Sequence, residues 1–188
     1  PEKLDFTGPV SWVRLKTQGG RTDWGWPMQD HAIRQDVRGT FLVEELRTFR
    51  LDSGKSYAIV GHNENLGLIT DIWFGSFETH DYFRNVLEFI CDRFDTGRYH
   101  LWLADLRHMS SGFQESEDWL ADYVFPRVIV GGLMREAVVL PKQIEDLPSD
   151  FDVFGSASAA LKKITDGRVR GFDDLERARA WLLDGNRP

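Results

Sequence analysis

The second half of the chain alternates between apolar strands and amphipathic helices, and this order most constrains the fold. The strand-like segment YHLWLADL precedes a helix that begins near Ser116, and the strand REAVVLP follows it. A helix from Ser156 to about Asp166, the short strand VRGF and a closing helix capped by Asp173 complete the pattern. Strands that feed helices with one apolar face predict a sheet covered by crossover helices. The sequence therefore predicts an α/β fold.

The middle of the chain adds an antiparallel element to this sheet. The segments SYAIVGH and LGLITDIWFG are separated by an Asn-rich turn at 63–65, which predicts a hairpin. Residues 79–95 carry apolar side chains at spacings of three and four, which predicts a helix that ends at Gly97. The preceding segment FLVEELRTFRL is ambiguous between strand and helix. A mixed β-sheet covered by amphipathic helices is the expected architecture.

Residues 1–39 differ from the rest of the chain. They are rich in glycine and charge, and they keep neither a helical nor a strand period. We expect an irregular, Trp-rich N-terminal arm over 1–39 and a globular domain over 40–188. Trp24 and Trp26 are candidate contacts with a ligand or a partner, and the alternative is that their rings pack back onto the body.

Composition excludes several classes of function. The chain has 188 residues, a net charge of -7 and a pI near 5.2, which argues against nucleic-acid binding because phosphate backbones attract a basic surface. No apolar run reaches the roughly 18 residues of a membrane-spanning helix. The single cysteine, Cys91, allows no internal disulfide, so a cytoplasmic location is expected.

The order of motifs also resembles a known family. The segments WFGSF, LWLADLRHM, DWLADYVFPRVIVGGLMREAVVLP and VRGFDDLERARAWLL, spread over about residues 40–185, resemble the SpoIIAA-like proteins. These are relatives of the STAS domains of anti-sigma-factor antagonists and are sometimes described as STAS/SEC14-like. The resemblance implies a STAS-like mixed sheet covered by helices and used as a binding or regulatory module.

The same resemblance implies a regulatory loop after the central strand. In the antagonist proteins a serine within an Asp-Ser-Ser-Gly context is phosphorylated and controls partner choice. Here Ser110, Ser111 and Gly112 occupy a comparable loop, but Met109 stands in place of the acidic residue. Ser110 and Ser111 are therefore candidate phosphorylation sites, and the alternative is a solvated loop whose serines cap the next helix.

Asp105, Arg107 and His108 form the main candidate cluster, because they follow the apolar part of that strand. Ligand sites of open α/β sheets gather outside the carboxyl ends of strands. An arginine fork binds carboxylate or phosphate, and histidine titrates near neutral pH. Strict strand alternation places Asp105 and Arg107 on one face and His108 on the other. A salt bridge that ties strand to helix is the competing interpretation.

No segment carries a complete catalytic, cofactor or metal signature. SGKS lacks the first glycine of a phosphate-binding loop, and the histidines are scattered without metal-ligand spacing. We therefore predict no catalytic residues, no cofactor and no metal. The leading hypothesis is a non-enzymatic regulatory module that binds a protein partner or itself. The alternatives are a protein that binds a small apolar, lipid-like ligand, and an enzyme that uses Asp105, Arg107 and His108.

Overall fold

The structure is a computed structural model that describes residues 33–140 and 163–184. Its helices are α1 (Gln35–Phe41), α2 (His80–Phe94), α3 (Glu117–Trp119), α4 (Phe125–Val130) and α5 (Leu175–Asp184). Its strands are β1 (Glu44–Arg50), β2 (Ser56–Asn63), β3 (Leu68–Gly75), β4 (Leu101–Met109), β5 (Arg135–Val139) and β6 (Val169–Phe172). Short 3-10 helices lie at Glu64–Leu66 and Gln114–Ser116, and a π-helical turn at Leu120–Val124 joins α3 to α4.

The described strands form one six-stranded sheet in the order β1-β2-β3-β4-β5-β6. β1, β2 and β3 pair antiparallel, whereas β3, β4, β5 and β6 pair parallel. Parallel neighbours need crossover connections, and α2 and the α3–α4 segment supply two of them. The α/β class and the mixed sheet predicted from sequence are confirmed.

The predicted hairpin joins β2 to β3 through a compact turn. The Asn63 side-chain oxygen accepts a hydrogen bond from the Leu66 backbone N–H at 3.2 Å, which caps the 3-10 helix Glu64–Leu66. Gly67 then adopts a left-handed conformation with φ of 60°, which a residue without Cβ reaches at little cost. The pairing register that follows sets which side chains of β3 face each layer.

Helices cover both faces of the sheet. One face packs against Phe83, Val86 and Leu87 of α2 and against the α3–α4 segment, and we call it the α2 face. The other face packs against α1 and α5, including Val37 and Leu182, and we call it the α5 face. Both layers bury apolar side chains, so β3 and β4 have buried residues on both sides. The protein is a three-layer α/β structure.

Several local details differ from the sequence-based expectations. The ambiguous segment FLVEELRTFRL contains the strand β1, and the VIV of the VIVGG run forms the end of the helix α4. The closing helix is capped one residue later than predicted, because the Asp174 carboxylate accepts the Arg177 backbone N–H at 3.0 Å. Asp173 instead pairs with the Arg177 guanidinium at 3.0 Å. Trp24, Trp26 and most of the helix predicted from Ser156 lie outside the described residues.

The last part of the predicted arm packs with the body. Ile33 and Val37 are buried against the α5 face, where α1 lies beside α5. Sequence periodicity over 33–39 was too short to indicate this helix, and its burial depends on contacts with residues more than a hundred positions later. The packed body therefore includes residues from 33 onward.

Gly131 marks a close contact between α4 and the end of α2. A Cβ at this position would lie 2.8 Å from the Phe94 carbonyl oxygen and 2.9 Å from the Phe94 Cβ. Backbone cannot move aside as a flexible side chain can, so we expect Gly131→Ala to lower the free energy of unfolding by about 2 kcal/mol. Urea unfolding measures this loss.

Gly39 supplies the matched control for that substitution. It lies inside α1, and a Cβ there would meet no atom within 4 Å. Gly39→Ala should be neutral or stabilising, because alanine favours the helix by up to about 1 kcal/mol. Equal losses for the two variants would contradict the steric explanation.

Candidate functional site

A cavity of about 50 Å³ lies on the α2 face, between the sheet and its covering helices, and is partly open to solvent. We call it the sheet cavity. Its walls are mostly apolar and come from β3, β4, β5, β6, α2, the segment after β4, the π-helical turn and the start of α4. The lining residues are Asp71, Phe83, Leu87, Trp102, Ala104, Leu106, Phe113, Leu120, Phe125, Glu136, Val138 and Val169. One water needs roughly 10–15 Å³ by this measure, so several non-hydrogen atoms fit.

Two carboxyl groups lie in the wall of the sheet cavity. Glu136 on β5 pairs with Trp102 on β4, and Asp71 on β3 pairs with Ala104, two residues further along β4. The sheet register therefore brings two acidic side chains from separate strands to the same apolar face. Both are buried, with 1 % of Asp71 and 5 % of Glu136 exposed.

Asp71 is held by two indole rings. Trp73 Nε1 donates to Asp71 Oδ2 and Trp102 Nε1 donates to Asp71 Oδ1, each at 2.5 Å. Burial raises the pKa of Asp71 to about 6, and the indole hydrogen bonds limit the rise because they favour the ionised form. Asp71 is therefore mainly a carboxylate at neutral pH, with one N–H donor on each oxygen.

Glu136 is in a different environment. Its Oε2 has no hydrogen-bond partner among the described residues. Burial and the nearby charge of Asp71 raise the pKa of Glu136 well above its ordinary value, because both disfavour the ionised form. None of the lining residues that the structure describes is basic. A buried polar atom without a hydrogen-bond partner costs stability, so the position of Glu136 Oε2 needs a specific explanation.

A π-helical turn forms part of the same wall. Over Leu120–Val124 the helix widens, and the Phe125 backbone N–H donates to the Leu120 carbonyl, five residues earlier. Pro126 follows and has no N–H to continue the regular pattern. Such turns occur frequently at functional sites, and here both Leu120 and Phe125 line the sheet cavity.

The predicted cluster at the end of β4 lies on the opposite, α5 face. The pairing advances from Ile72–Asp105 to Phe74–His108, which is two residues along β3 but three along β4. This β-bulge places one extra residue in β4 and changes where its side chains point. Asp105, Arg107 and His108 consequently meet on one side, whereas strict alternation separated His108 from the other two.

Ion pairs with residues of the α1 region hold this cluster together. Arg107 binds Asp105 with two hydrogen bonds of 2.8 and 2.7 Å and also binds Asp36 at 2.7 Å. Arg34 pairs with Asp36 at 3.1 Å, lies 3.7 Å from Asp105 and contacts His108 Nε2. The two arginine charges thus balance the two carboxylate charges. The guanidinium groups donate their hydrogen bonds to these carboxylates and to His108, within the cluster. This arrangement favours the strand-to-helix salt-bridge interpretation.

The electrostatics of the cluster agree with a stabilising role. Burial alone would raise the pKa of Asp36, but the hydrogen bonds and charges of Arg34 and Arg107 outweigh it and hold the pKa well below its usual range. Burial and the charge of Arg34 lower the pKa of His108. His108 is therefore neutral near pH 7 and accepts a hydrogen bond from Arg34 in that state.

The candidate phosphorylation sites lie in the loop after β4. Ser110 is exposed, and its backbone N–H bonds to the Gly75 carbonyl. Ser111 Oγ donates to Ser76 Oγ at 2.9 Å. Arg107 makes its hydrogen bonds to carboxylates, so it is not poised to receive a phosphate on either serine. Phosphorylation at Ser110 and Ser111 stays a prediction.

Cys91 and two of the tryptophans lie in the core on the α2 face. Cys91 is buried in α2, and burial raises the pKa of its thiol to about 12, so it stays protonated at neutral pH. Trp73 and Trp102 are buried, whereas Trp119 and Trp181 are partly buried. Trp73 and Trp102 are more than packing residues, because their N–H groups define the environment of Asp71.

Sequence reasoning missed the two carboxyl groups of the sheet cavity. Asp71 interrupts the apolar strand LGLITDIWFG, and Glu136 interrupts REAVVL. A charged residue at a position where both neighbours are buried is a signal that could have identified each of them. Their juxtaposition depends on the β3–β4–β5 register, which the sequence does not display.

Within residues 33–140 and 163–184, no group of three or more His, Cys, Asp or Glu side chains is arranged to hold a metal ion. No helix in these ranges is long and apolar enough to cross a membrane. Comparisons of the chain with protein-family models, with curated proteins and with solved structures gave no match.

Proposed function

We propose that this protein binds a small, mainly apolar ligand in the sheet cavity. The observation that carries the proposal is a cavity of about 50 Å³ with an apolar lining and two buried carboxyl groups. Protein cores are otherwise packed as densely as organic crystals, and ligand sites are apolar concavities with a few well-placed polar groups. A void with this composition is better explained by a ligand than by packing.

The resemblance to the SpoIIAA-like, STAS/SEC14-like proteins is compatible with this function. The SEC14 side of that resemblance implies an apolar pocket, which is the function we propose here. The STAS-like class is our proposal for the finer description of the mixed sheet and its helices. A regulatory, protein-binding role stays a prediction, because Trp24 and Trp26 lie outside the described residues.

Filling the sheet cavity should abolish ligand retention. Ala104 is 5 % exposed and lines the cavity, so a leucine at this position would occupy part of its volume. We expect native mass spectrometry of protein purified without detergent to show a retained small molecule, and Ala104→Leu to lose it. Butan-1-ol, added to the stripped protein, should shift the NMR signals of the Trp73 and Trp102 indole N–H groups in the wild type alone.

The control makes the same change at an exposed helical position. Ala180 lies on the solvent side of α5, so Ala180→Leu should retain the ligand and the response to butan-1-ol. A wild-type protein that shows neither retained mass nor any indole response would refute ligand binding. An Ala104→Leu variant that responds like the wild type would place the site elsewhere.

A further inference from the structure

The sheet cavity contains two acidic side chains in a mostly apolar wall, where an uncompensated charge is unfavourable. Asp71 and Glu136 both line it, and the described lining residues include no lysine, arginine or histidine. A buried charge without a counter-charge is costly, and a cation within a few ångströms offsets that cost. A ligand that brought a positive charge would therefore supply what the walls lack.

The two carboxyl groups differ in the number of hydrogen bonds that they accept from the protein. Each oxygen of Asp71 already accepts an indole N–H, from Trp73 or Trp102, at 2.5 Å. Glu136 Oε2 accepts from no described residue, although Glu136 is only 5 % exposed. The next N–H donor to enter the cavity would therefore bind Glu136, beside the negative charge of Asp71.

We infer that the ligand of the sheet cavity is a small amine, whose ammonium group binds Glu136 Oε2 near Asp71 and whose short apolar body contacts the aromatic wall. This inference rests on the proposed ligand-binding function and names its ligand class. An ammonium group presents several N–H donors and a full positive charge, so it satisfies the unpartnered Glu136 oxygen and places one positive charge beside the two carboxyl groups.

The apolar residues of the wall can contact the hydrocarbon part of a small amine. Phe83 and Phe113 stack with their ring centroids 6.3 Å apart, and both line the cavity with Leu106 and Phe125. A volume of about 50 Å³ restricts the ligand to a short chain or a small ring. Carboxylate ligands are disfavoured because the walls would repel them.

Other ionisable groups near the pair do not replace the missing cation. Asp105 lies across the sheet on the α5 face, and its charge raises the pKa of Asp71 further. Cys91 on α2 stays protonated because burial raises the pKa of its thiol to about 12. The raised pKa values in the empty cavity therefore belong to Asp71 and Glu136, and an ammonium group would favour ionisation of both.

The test compares three probes that share a four-carbon body: butylamine, butan-1-ol and butyrate. The indole N–H signals of Trp73 and Trp102 in the intact, ¹⁵N-labelled protein report binding. We expect butylamine to bind at least about tenfold more tightly than butan-1-ol, since a hydrogen bond to a charged group is worth that much, and butyrate not to bind. Glu136→Gln should remove most of this preference, measured as the ratio of the affinities for butylamine and butan-1-ol.

Calorimetry on the wild type provides a second measurement that needs no variant. Binding of butylamine at pH 6 should release protons from the carboxyl pair, because the pKa of Asp71 is raised to about 6 and a bound ammonium group favours the ionised form. The release is seen as a heat that depends on the ionisation enthalpy of the buffer, whereas butan-1-ol should release none. Equal affinities for butylamine and butan-1-ol, or no proton release, would overturn the amine inference and leave apolar ligand binding intact. No indole response to any probe would overturn both.

Discussion

Replacing Arg107 with methionine should lower the free energy of unfolding by about 3–5 kcal/mol at neutral pH, because it leaves a buried carboxylate without its main partner. Asp105 is 1 % exposed and receives two hydrogen bonds from the Arg107 guanidinium. Arg34 Nε remains 3.7 Å from Asp105, which is too far to replace them. Urea unfolding followed by circular dichroism measures the loss.

Two further variants separate the ion pair from general effects of removing an arginine. Arg98 pairs with Glu64 at 3.6 Å on the surface, and 70 % of its side chain is exposed. Arg98→Met should cost less than about 1 kcal/mol. The double variant Asp105→Leu with Arg107→Met should recover much of the stability, since it removes both charges. A loss for Arg107→Met as small as for Arg98→Met would contradict the role assigned to the cluster.

Replacing Trp102 with phenylalanine should destabilise the protein by about 2–3 kcal/mol at pH 8 through its hydrogen bond alone, because the charged carboxylate of Asp71 loses one of its two N–H donors. The effect should depend on pH in a defined direction. The indole bond lowers the pKa of Asp71, so its loss should raise that pKa above about 6. The stability of both proteins should be followed by urea unfolding from pH 5 to pH 9.

The direction of this pH dependence follows from the number of protons that the folded and the unfolded protein bind. The pKa of Asp71 is raised in the folded state, so its contribution to stability is present below the unfolded value of about 3.9 and is lost as pH rises through the folded pKa. In Trp102→Phe the pKa of folded Asp71 is higher, so stability continues to fall up to a higher pH than in the wild type. The difference between the two proteins should be small below pH 6 and grow above it by up to about 1.4 kcal/mol per pH unit.

Trp181→Phe is the control for this pH dependence. Trp181 is partly buried and packs against Phe172, Arg135 and Arg170 on the α5 face. The indole donors to Asp71 are Trp73 and Trp102, so loss of the Trp181 ring should not change the pKa of Asp71, and the loss of stability should be constant between pH 5 and 9. A constant difference for Trp102→Phe as well would show that Asp71 does not titrate as described.

The candidate site and the ion-pair cluster use charged residues for different purposes. On the α5 face, Asp36 and Asp105 are balanced by two arginines, and the network holds the α1 region against β4. On the α2 face, Asp71 and Glu136 have no basic partner among the described lining residues. A charge-balanced network favours stability, whereas an unbalanced buried pair beside a cavity favours binding. The more informative site is therefore the one without ion pairs.

Elements with a strong local period were predictable from the sequence. The helix expected over residues 79–95 is α2, and the segments on either side of the Asn-rich turn are β2 and β3. Each of these depends on side-chain spacing and turn chemistry within about fifteen residues. The cap of the last helix was misplaced by one residue because Asp173 and Asp174 are equally good caps, and only the backbone geometry distinguishes them.

The sequence by itself determined the α/β class, the antiparallel hairpin and the helices that cover the sheet, because apolar spacing specifies which face of each element is buried. Only the tertiary structure determined which residues meet in the sheet cavity and in the ion-pair cluster at the end of β4. The register of three strands brings Asp71, Trp102 and Glu136 to one cavity, and a bulge in β4 brings Asp105 and His108 to the same side. Register and bulges arise from pairing between distant segments, so no local pattern encodes them.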